Sequence, residues 1–301
     1  MNLQQVVQRV KCSTKQHKLL CNTSNLMKLQ KYIKTIQEQE KPFKFIFSKI
    51  IFRLKISHVF TFKHKHHLLR FYPSYLSRIL WVDPNHGHSG SEVENFVWKY
   101  LRAGDIFIDI GANIGTVTLE ASKKIGDNGK IFSFEANPKI FGFLEGNVNL
   151  NHCKNIELHN FALGEKTSQI HFSNILSDEA NSVQNDSSGI TVEMKTLDEL
   201  IPSHLKIELL KIDVLGYEKF VFLGAKKILE KTECIHFPAI EKFYKNYGYD
   251  FRDVFKILKN HNFSIYMMSD NGLSLLSDNF EPKFGDYFAI KNIKKFTERM
   301  N

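Results

Sequence analysis

Two carboxylates and two glycines stand at a spacing that can hold a small charged molecule. In Asp105-Ile-Phe-Ile-Asp-Ile-Gly-Ala-Asn-Ile-Gly-Thr-Val-Thr118, the apolar run Ile106, Phe107, Ile108 and Ile110 has strand character, and Gly111 and Gly115 interrupt it just before a helix start. Glycines in such a turn let a ligand approach the backbone, and the first amides of the helix point outward without intrahelical partners. Asp109, at the carboxyl end of the strand, adds a negative charge facing the crevice where open α/β sheets bind ligands. The spacing Asp-x-Gly-x-Asn-x-Gly departs from the dinucleotide fingerprint Gly-x-Gly-x-x-Gly and lacks the Gly-Lys-Ser/Thr of a phosphate loop. A diphosphate is disfavoured beside Asp109, whereas a cofactor carrying an ammonium and a sulfonium is attracted to it.

The second acid lies 20 residues beyond Gly115, where Lys130-Ile-Phe-Ser-Phe-Glu135 has the pattern of the next strand. A nucleoside-binding α/β unit places at such a strand end the carboxylate that accepts bonds from ribose hydroxyls. Asn137-Pro138 then caps and opens another helix. A third acid, Asp213, ends the buried run Ile207-Glu-Leu-Leu-Lys-Ile-Asp213 ahead of a turn at Gly216.

The elements that must position these groups alternate along the chain. Ser91 and Glu94 have the spacing of a capping box for a helix that opens the domain, and Lys139–Asn149 is the helix after the second strand. Ile156–Phe161 predicts a third strand, and Ser168–Ser173 with Ile190–Lys195 a strand pair around the polar excursion Asn174–Gly189, a candidate lid or a surface excursion. One helix is expected over about Tyr217–Lys231 and a fifth strand over Cys234–Phe237. Another helix follows at Asp250–His261, and late strands at Phe263–Met268 and Asp286–Lys291 are expected to pair antiparallel. Strands alternating with helices through short turns predict an α/β fold, a doubly wound, mostly parallel sheet.

Five blocks, in order, resemble the FkbM-type S-adenosylmethionine-dependent methyltransferases. They are Asp105–Gly115, Phe134-Glu-Ala-Asn-Pro138, Ala162-Leu-Gly164, Thr196-Leu-Asp198 and Ile212-Asp-Val-Leu-Gly-Tyr-Glu218, within a match from about Glu92 to about Tyr266. The resemblance implies a Rossmann-like class I methyltransferase fold with S-adenosylmethionine as cofactor. Gly111, Ala112, Asn113 and Gly115 would line its methionine end with Asp109 toward the ammonium, Glu135 would hold the ribose, and Ala136, Asn137, Phe161 and Ala162 would flank the adenine. Asp213 is the first candidate for positioning the acceptor or removing its proton. Glu218 is either catalytic or bonded to local backbone, His236 either a base or a core histidine, and Glu241 a weaker candidate. Where the family has an acid, this chain has Leu215, which bears on activity more than on cofactor binding. The acceptor implied is a sugar or other hydroxylated small molecule, methylated on oxygen. The alternatives are a nucleic-acid methyltransferase and an inactive cofactor-binding relic.

Charge is unevenly placed along the 301 residues. The net charge of +9 divides into +13 over residues 1–70, with 15 Lys/Arg against 2 acids, and −4 over residues 71–301. We therefore expect a basic arm at residues 1–75 and a methyltransferase domain at 76–301. Residues 1–41 are polar and poor in aromatics, the composition of a disordered segment or a loosely attached helix. Residues 43–70 interleave aromatic, aliphatic and basic residues, which suits contact with an anionic membrane or a nucleic acid, or a lead-in packed on the domain. His64, His66, His67, His86 and His88 cluster without a carboxylate or cysteine at metal-ligand spacing, so they are expected on the surface and no metal is expected. Cys12, Cys21, Cys153 and Cys234 show no disulfide framework, and neither a secretory signal nor an apolar span is present, so a cytoplasmic protein is expected.

Overall fold

The computed structural model describes residues 34, 41–83, 89–173, 181–184, 189–269, 272–277, 280 and 284–301. Most of the segment expected to be loose at the N-terminus, His86, His88 and most of the 174–189 excursion lie outside the described residues. Helix α1 (Pro42–Arg53) begins with a proline where a missing N–H costs nothing, and β1 (Thr61–His64) and β2 (His67–Arg70) form an antiparallel hairpin. Helix α2 (Tyr75–Val82), capped by the Ser74 hydroxyl accepting from the Ser77 amide, and α3 (Ser89–Tyr100) lead to β3 (Ile106–Ile110). Strands and helices then alternate through α4 (Thr116–Ile125), β4 (Lys130–Phe134), α5 (Pro138–Leu150) and β5 (Ile156–His159). A separate four-stranded sheet follows, of β6 (Ala162–Leu163), β7 (Ser168–Phe172), β8 (Val183–Gln184) and β9 (Ile190–Lys195), so the polar excursion contains a short strand of its own.

After α6 (Leu197–Leu200), started by the Thr196/Glu199 capping box that its spacing predicts, the main sheet resumes with β10 (Ile207–Ile212). The expected single helix is two, α7 (Glu218–Leu223) and α8 (Lys226–Lys231). Gly224 parts them, and a Cβ there would lie 1.9 Å from the Gly164 carbonyl oxygen, so the chain bends where two backbones touch. The remaining elements are β11 (Thr232–Ala239), α9 (Glu241–Lys245), α10 (Phe251–Asn260), β12 (Ser264–Ser269), β13 (Gly272–Leu275), β14 (Gly285–Ile290) and α11 (Ile293–Met300).

The main sheet runs β13-β12-β14-β11-β10-β3-β4-β5; the pairings among β11, β10, β3, β4 and β5 are parallel, and those of β14, β12 and β13 antiparallel. The strand order reverses between β3 and β10, which opens a crevice outside their carboxyl ends. Ile108, Ile110, Leu210 and Ile212 face Val221, Phe222, Ile228 and Val254 on one side of the sheet. Phe107, Leu209, Ile131 and Cys234 face Phe96, Tyr100, Ala121 and Phe296 on the other, so the central strands are apolar on both faces. No helix among the described residues is long and apolar enough to cross a membrane.

The N-terminal hairpin is built into this core. Leu69 is fully buried in the same cluster as Ala112, Ile114 and Leu144. His64 and His67 are buried rather than on the surface, because carboxylates from α3 and α4 close over them. His64 Nε2 lies 2.9 Å from Glu94 Oε2, which Lys65 Nζ also reaches at 2.9 Å. Glu120 accepts from His66 and, at 3.2 Å, from His67 Nδ1. Those acids stand 30 to 54 residues away along the chain, which is why no local spacing revealed them.

Burial pushes the His67 pKa below its usual 6.5, and the neutral Nδ1–H tautomer is compatible with that while still donating to Glu120. Burial would raise the Glu120 pKa, but hydrogen bonds from His67 and His66 outweigh it and hold the carboxyl below 4.5. Both folded pKa values are depressed, so this contribution to stability is complete above pH 6.5 and is lost as pH falls, first through the His67 titration and then through that of Glu120. Glu120→Gln is expected to cost about 1–3 kcal/mol at neutral pH and to flatten the acid limb of a urea-unfolding series. An unchanged acid limb in the variant would refute this linkage.

Candidate active site

The crevice is built on three strand ends locked together. The amides of Gly111 and Ala112 both donate to the Phe134 carbonyl, at 3.0 and 2.9 Å, joining the ends of β3 and β4. Gly111 has φ 76°, and a Cβ there would lie 2.0 Å from the Asp213 carbonyl oxygen, so this glycine is required by the close passage of the chain leaving β10. The need shown here is backbone against backbone. Asn113 takes the left-handed conformation that asparagine tolerates, with φ 51°, and its side-chain oxygen accepts from the Ile114 amide at 2.7 Å.

Glu135 stands at the end of β4 with each carboxylate oxygen accepting one backbone N–H, from Asn113 at 3.0 Å and from Asn137 at 2.9 Å. A carboxylate has about four lone-pair directions, so two remain for ribose hydroxyls. Burial pushes its pKa up to about 7, against the lowering effect of the Asn137 and Asn113 amides. Asn137 is itself occupied as the N-cap of α5, accepting from Lys139 and Ile140. Asn160, which sequence reasoning missed, donates to the carbonyls of Glu135 at 2.8 Å and Ala136 at 3.2 Å and holds this strand-end loop in place. Ala136 packs beside Ala162, and Phe161 lies beneath the Lys195 ammonium at 4.2 Å. The residues assigned to ribose and adenine therefore converge around one loop, and this donor set fits a nucleoside.

Asp109 is placed differently from expectation. Its side chain is fully buried and turned into the sheet, where Oδ2 accepts from Thr118 Oγ1 at 2.6 Å and Oδ1 lies 3.0 Å from Lys211 Nζ. Its charge is neutralised within the fold and is not presented to an ammonium in the crevice. Lys211 also donates to the Gly111 carbonyl at 2.7 Å. Burial acts to lower the Lys211 pKa, but Asp109, Asp213 and Glu135 outweigh it and the net shift is upward. The signal for Lys211 was in the sequence: a lysine inside a buried apolar strand must have a partner.

Of the three proposed catalytic residues, the structure brings only Asp213 to the crevice. It is exposed just beyond β10, and its amide donates to the Ile110 carbonyl at 3.0 Å. Glu218 instead folds back beneath its own turn, where Oε1 accepts from the amides of Val214 and Gly216, both at 3.3 Å. Those bonds cap the turn, the side chain is buried, and burial raises its pKa to about 7. His236 is buried under Phe96 and Phe288, with Nε2 3.3 Å from Asp286 Oδ1, and is a core histidine of β11. Glu241 accepts from the Phe251 amide at the start of α10. Leu215 holds φ 52°, a left-handed conformation uncommon for leucine, beside Gly216 at φ 99°.

A cleft of about 500 Å³ opens beside the β10 turn, walled by Tyr217, Phe220 and Tyr247 on one side and by Ile170, His171 and Gln184 of the small sheet on the other. Tyr217, Ile170 and Ala136 pack in one cluster, so the cleft adjoins the Glu135 loop.

Glu135→Ala is expected to weaken S-adenosylmethionine binding by about tenfold or more, the loss of charged hydrogen bonds worth about 1.5–3 kcal/mol. Because the ionised form accepts from ribose, affinity should rise with pH through about 7 in the native protein and not in the variant. Calorimetric titration at several pH values reads both, and a pH-independent affinity equal in the two proteins would remove Glu135 from the site.

Among curated proteins, no sequence matches significantly. Three solved structures are similar in overall course. A SAM-dependent O-methyltransferase from Thermotoga maritima has TM-score 0.40 and 14% identity, with 74% of this chain and 72% of that one covered. Methyltransferase FkbM from Methylobacillus flagellatus has TM-score 0.41 and 17% identity, covering 63% and 44%. A protein from Streptococcus mutans described as a methyltransferase and solved with SAH has TM-score 0.41 and 14% identity, covering 68% and 99%. The sequence model of the FkbM methyltransferase domain matches residues 109–265, just over half of the chain. That span contains the β3 turn, Glu135, the small sheet and the β10 turn, and the chain therefore belongs to the FkbM methyltransferase family, whose methyl donor is S-adenosylmethionine.

Proposed function

We propose that this methyltransferase acts on a hydroxyl oxygen of a sugar or another polyhydroxylated small molecule seated in the cleft beside the β10 turn. The observation that carries the reading is the cleft itself, whose aromatic walls and few polar side chains, His171, Gln184 and Asn246, adjoin the Glu135 loop and, through Tyr217, the turn that follows Asp213. When bound, S-adenosylmethionine would supply a methyl group on a sulfonium, and its transfer to the acceptor oxygen would leave S-adenosylhomocysteine and require the hydroxyl to give up its proton.

The protein's own task is to hold the acceptor oxygen in line at near-attack distance and to exclude water. Glu135 and the loop held by Asn160 fix the nucleoside, and the aromatic faces of Tyr217 and Tyr247 fix the ring of the acceptor. Asp213 is the exposed carboxylate beside the Gly111 turn and takes the role of orienting the hydroxyl and receiving its proton. Glu218 and His236 have no part in that step, since both are enclosed by protein. A nucleic-acid acceptor is disfavoured because residues 71–301, which hold the cleft and the Glu135 loop, carry a net −4 and the basic residues lie ahead of them in the chain.

Release of S-adenosylhomocysteine is expected with polyhydroxylated acceptors and not with RNA or DNA. Asp213→Asn should lower that turnover by about 10²-fold or more while leaving cofactor affinity unchanged. Turnover on nucleic acid alone, or none on any hydroxyl acceptor by protein that binds the cofactor, would overturn the reading. Leu215→Glu restores the family's acid; a gain of turnover would mark the native chain as decayed, and no gain would mark Leu215 as part of an adapted site.

A further inference from the structure

Helix α1 is apolar on two faces and packs with one. Phe45 and Ile51 are buried, Phe52 packs at a tilt against Phe71 with centroids 4.6 Å apart, and Lys44 Nζ donates to the Trp81 carbonyl of α2 at 3.1 Å. The other face carries Phe43, Ile46, Phe47, Ile50 and Leu54 at helical spacing, all exposed, Phe43 by 87% and Leu54 by 59%. Ile56 and Val59, in the turn that follows, extend the exposed apolar surface. On this face Phe47 meets the edge of the Phe60 ring, with centroids 6.0 Å apart, while Phe43, Ile50 and Leu54 remain more than half exposed. Contiguous exposed apolar surface of this kind marks an interaction site.

Charge selects the partner. Residues 41–70 hold eight Lys/Arg and no Asp or Glu, and Arg53 and Lys55 are exposed beside Leu54 and Ile56. Phosphates of a nucleic acid would satisfy the cations but give nothing to Ile46, Ile50, Leu54 and Val59, because bases stack on aromatic faces and not on aliphatic side chains. An anionic bilayer satisfies both sets: the apolar stripe enters the boundary of the acyl chains while the ammonium and guanidinium groups meet the headgroups. We propose that α1 and the turn after it form a peripheral docking surface for anionic lipid bilayers, with the helix lying in the plane of the interface. The catalytic domain, seated on the opposite face of α1, then works at the membrane surface. The inference is independent of which acceptor the cleft takes.

The test is co-sedimentation of the full chain with phosphatidylcholine vesicles with and without phosphatidylserine. Binding is expected only with phosphatidylserine and is expected to fall as salt is raised. The double variant Phe43→Glu with Ile50→Glu, at exposed positions that leave the packed face intact, should lower the partition coefficient on the order of tenfold or more without altering thermal unfolding. Arg53→Gln with Lys55→Gln should weaken binding to the anionic vesicles as well. No sedimentation of the folded native chain with phosphatidylserine vesicles would overturn the proposal, as would binding that the apolar double variant leaves unchanged. Self-association abolished by that variant, without vesicle binding, would make a second copy the occupant. Salt-sensitive RNA binding that depends on Arg53 and Lys55 alone would make it a nucleic acid.

Discussion

A lysine and an aspartate buried side by side in neighbouring strands hold the centre of this molecule. Lys211 of β10 and Asp109 of β3 lie at the same level of the sheet, 3.0 Å apart, at the point where the strand order reverses. Burying either ion alone would cost several kcal/mol, and removing one partner of such a pair leaves the other uncompensated at about 3–5 kcal/mol. A one-residue slip of β10 against β3 would send Lys211 to the apolar face of Val221 and Phe222, so the pair fixes the register of the two strands. Register in turn fixes the crevice. The Lys211 ammonium also holds the Gly111 carbonyl, and the chain leaving β10 passes against Gly111 so closely that no side chain fits there.

Around that crossing the acids are sorted by environment. Asp109 is neutralised within the sheet, and Glu218 is consumed beneath its own turn. Glu135 is held by two amides with lone pairs to spare, while Asp213 is left in solvent at the mouth. Four carboxylates within one motif set thus stand in four environments, and of the four only Asp213 is exposed. Glu135 is suited to a nucleoside because its bonds to backbone fix its direction, whereas exposed Asp213 is free to turn toward an acceptor.

The N-terminal hairpin shows the same principle applied to docking. Two buried histidines and two buried glutamates join β1 and β2 to α3 and α4, and Leu69 enters the core beside Ala112. That anchorage seats α1 on the catalytic domain and leaves Phe43, Ile50 and Leu54 turned to solvent.

The local pattern of the sequence determined the parallel strands of the main sheet, the turn at Gly111 and the capping box at Thr196, because each depends on residues a few positions apart. The five ordered blocks were enough to indicate the family. What only the tertiary structure decided depends on contacts made across long stretches of chain. Asp109 meets Lys211 from a strand about a hundred residues away, Glu120 reaches His67 from 53 residues away, and the break at Gly224 answers a backbone contact with Gly164. Glu218 and His236 have side chains suited to acid–base chemistry, and the pattern alone leaves both alternatives open. Whether such a group meets solvent or lies inside the core is a matter of what packs over it, and that is settled only when the chain has folded.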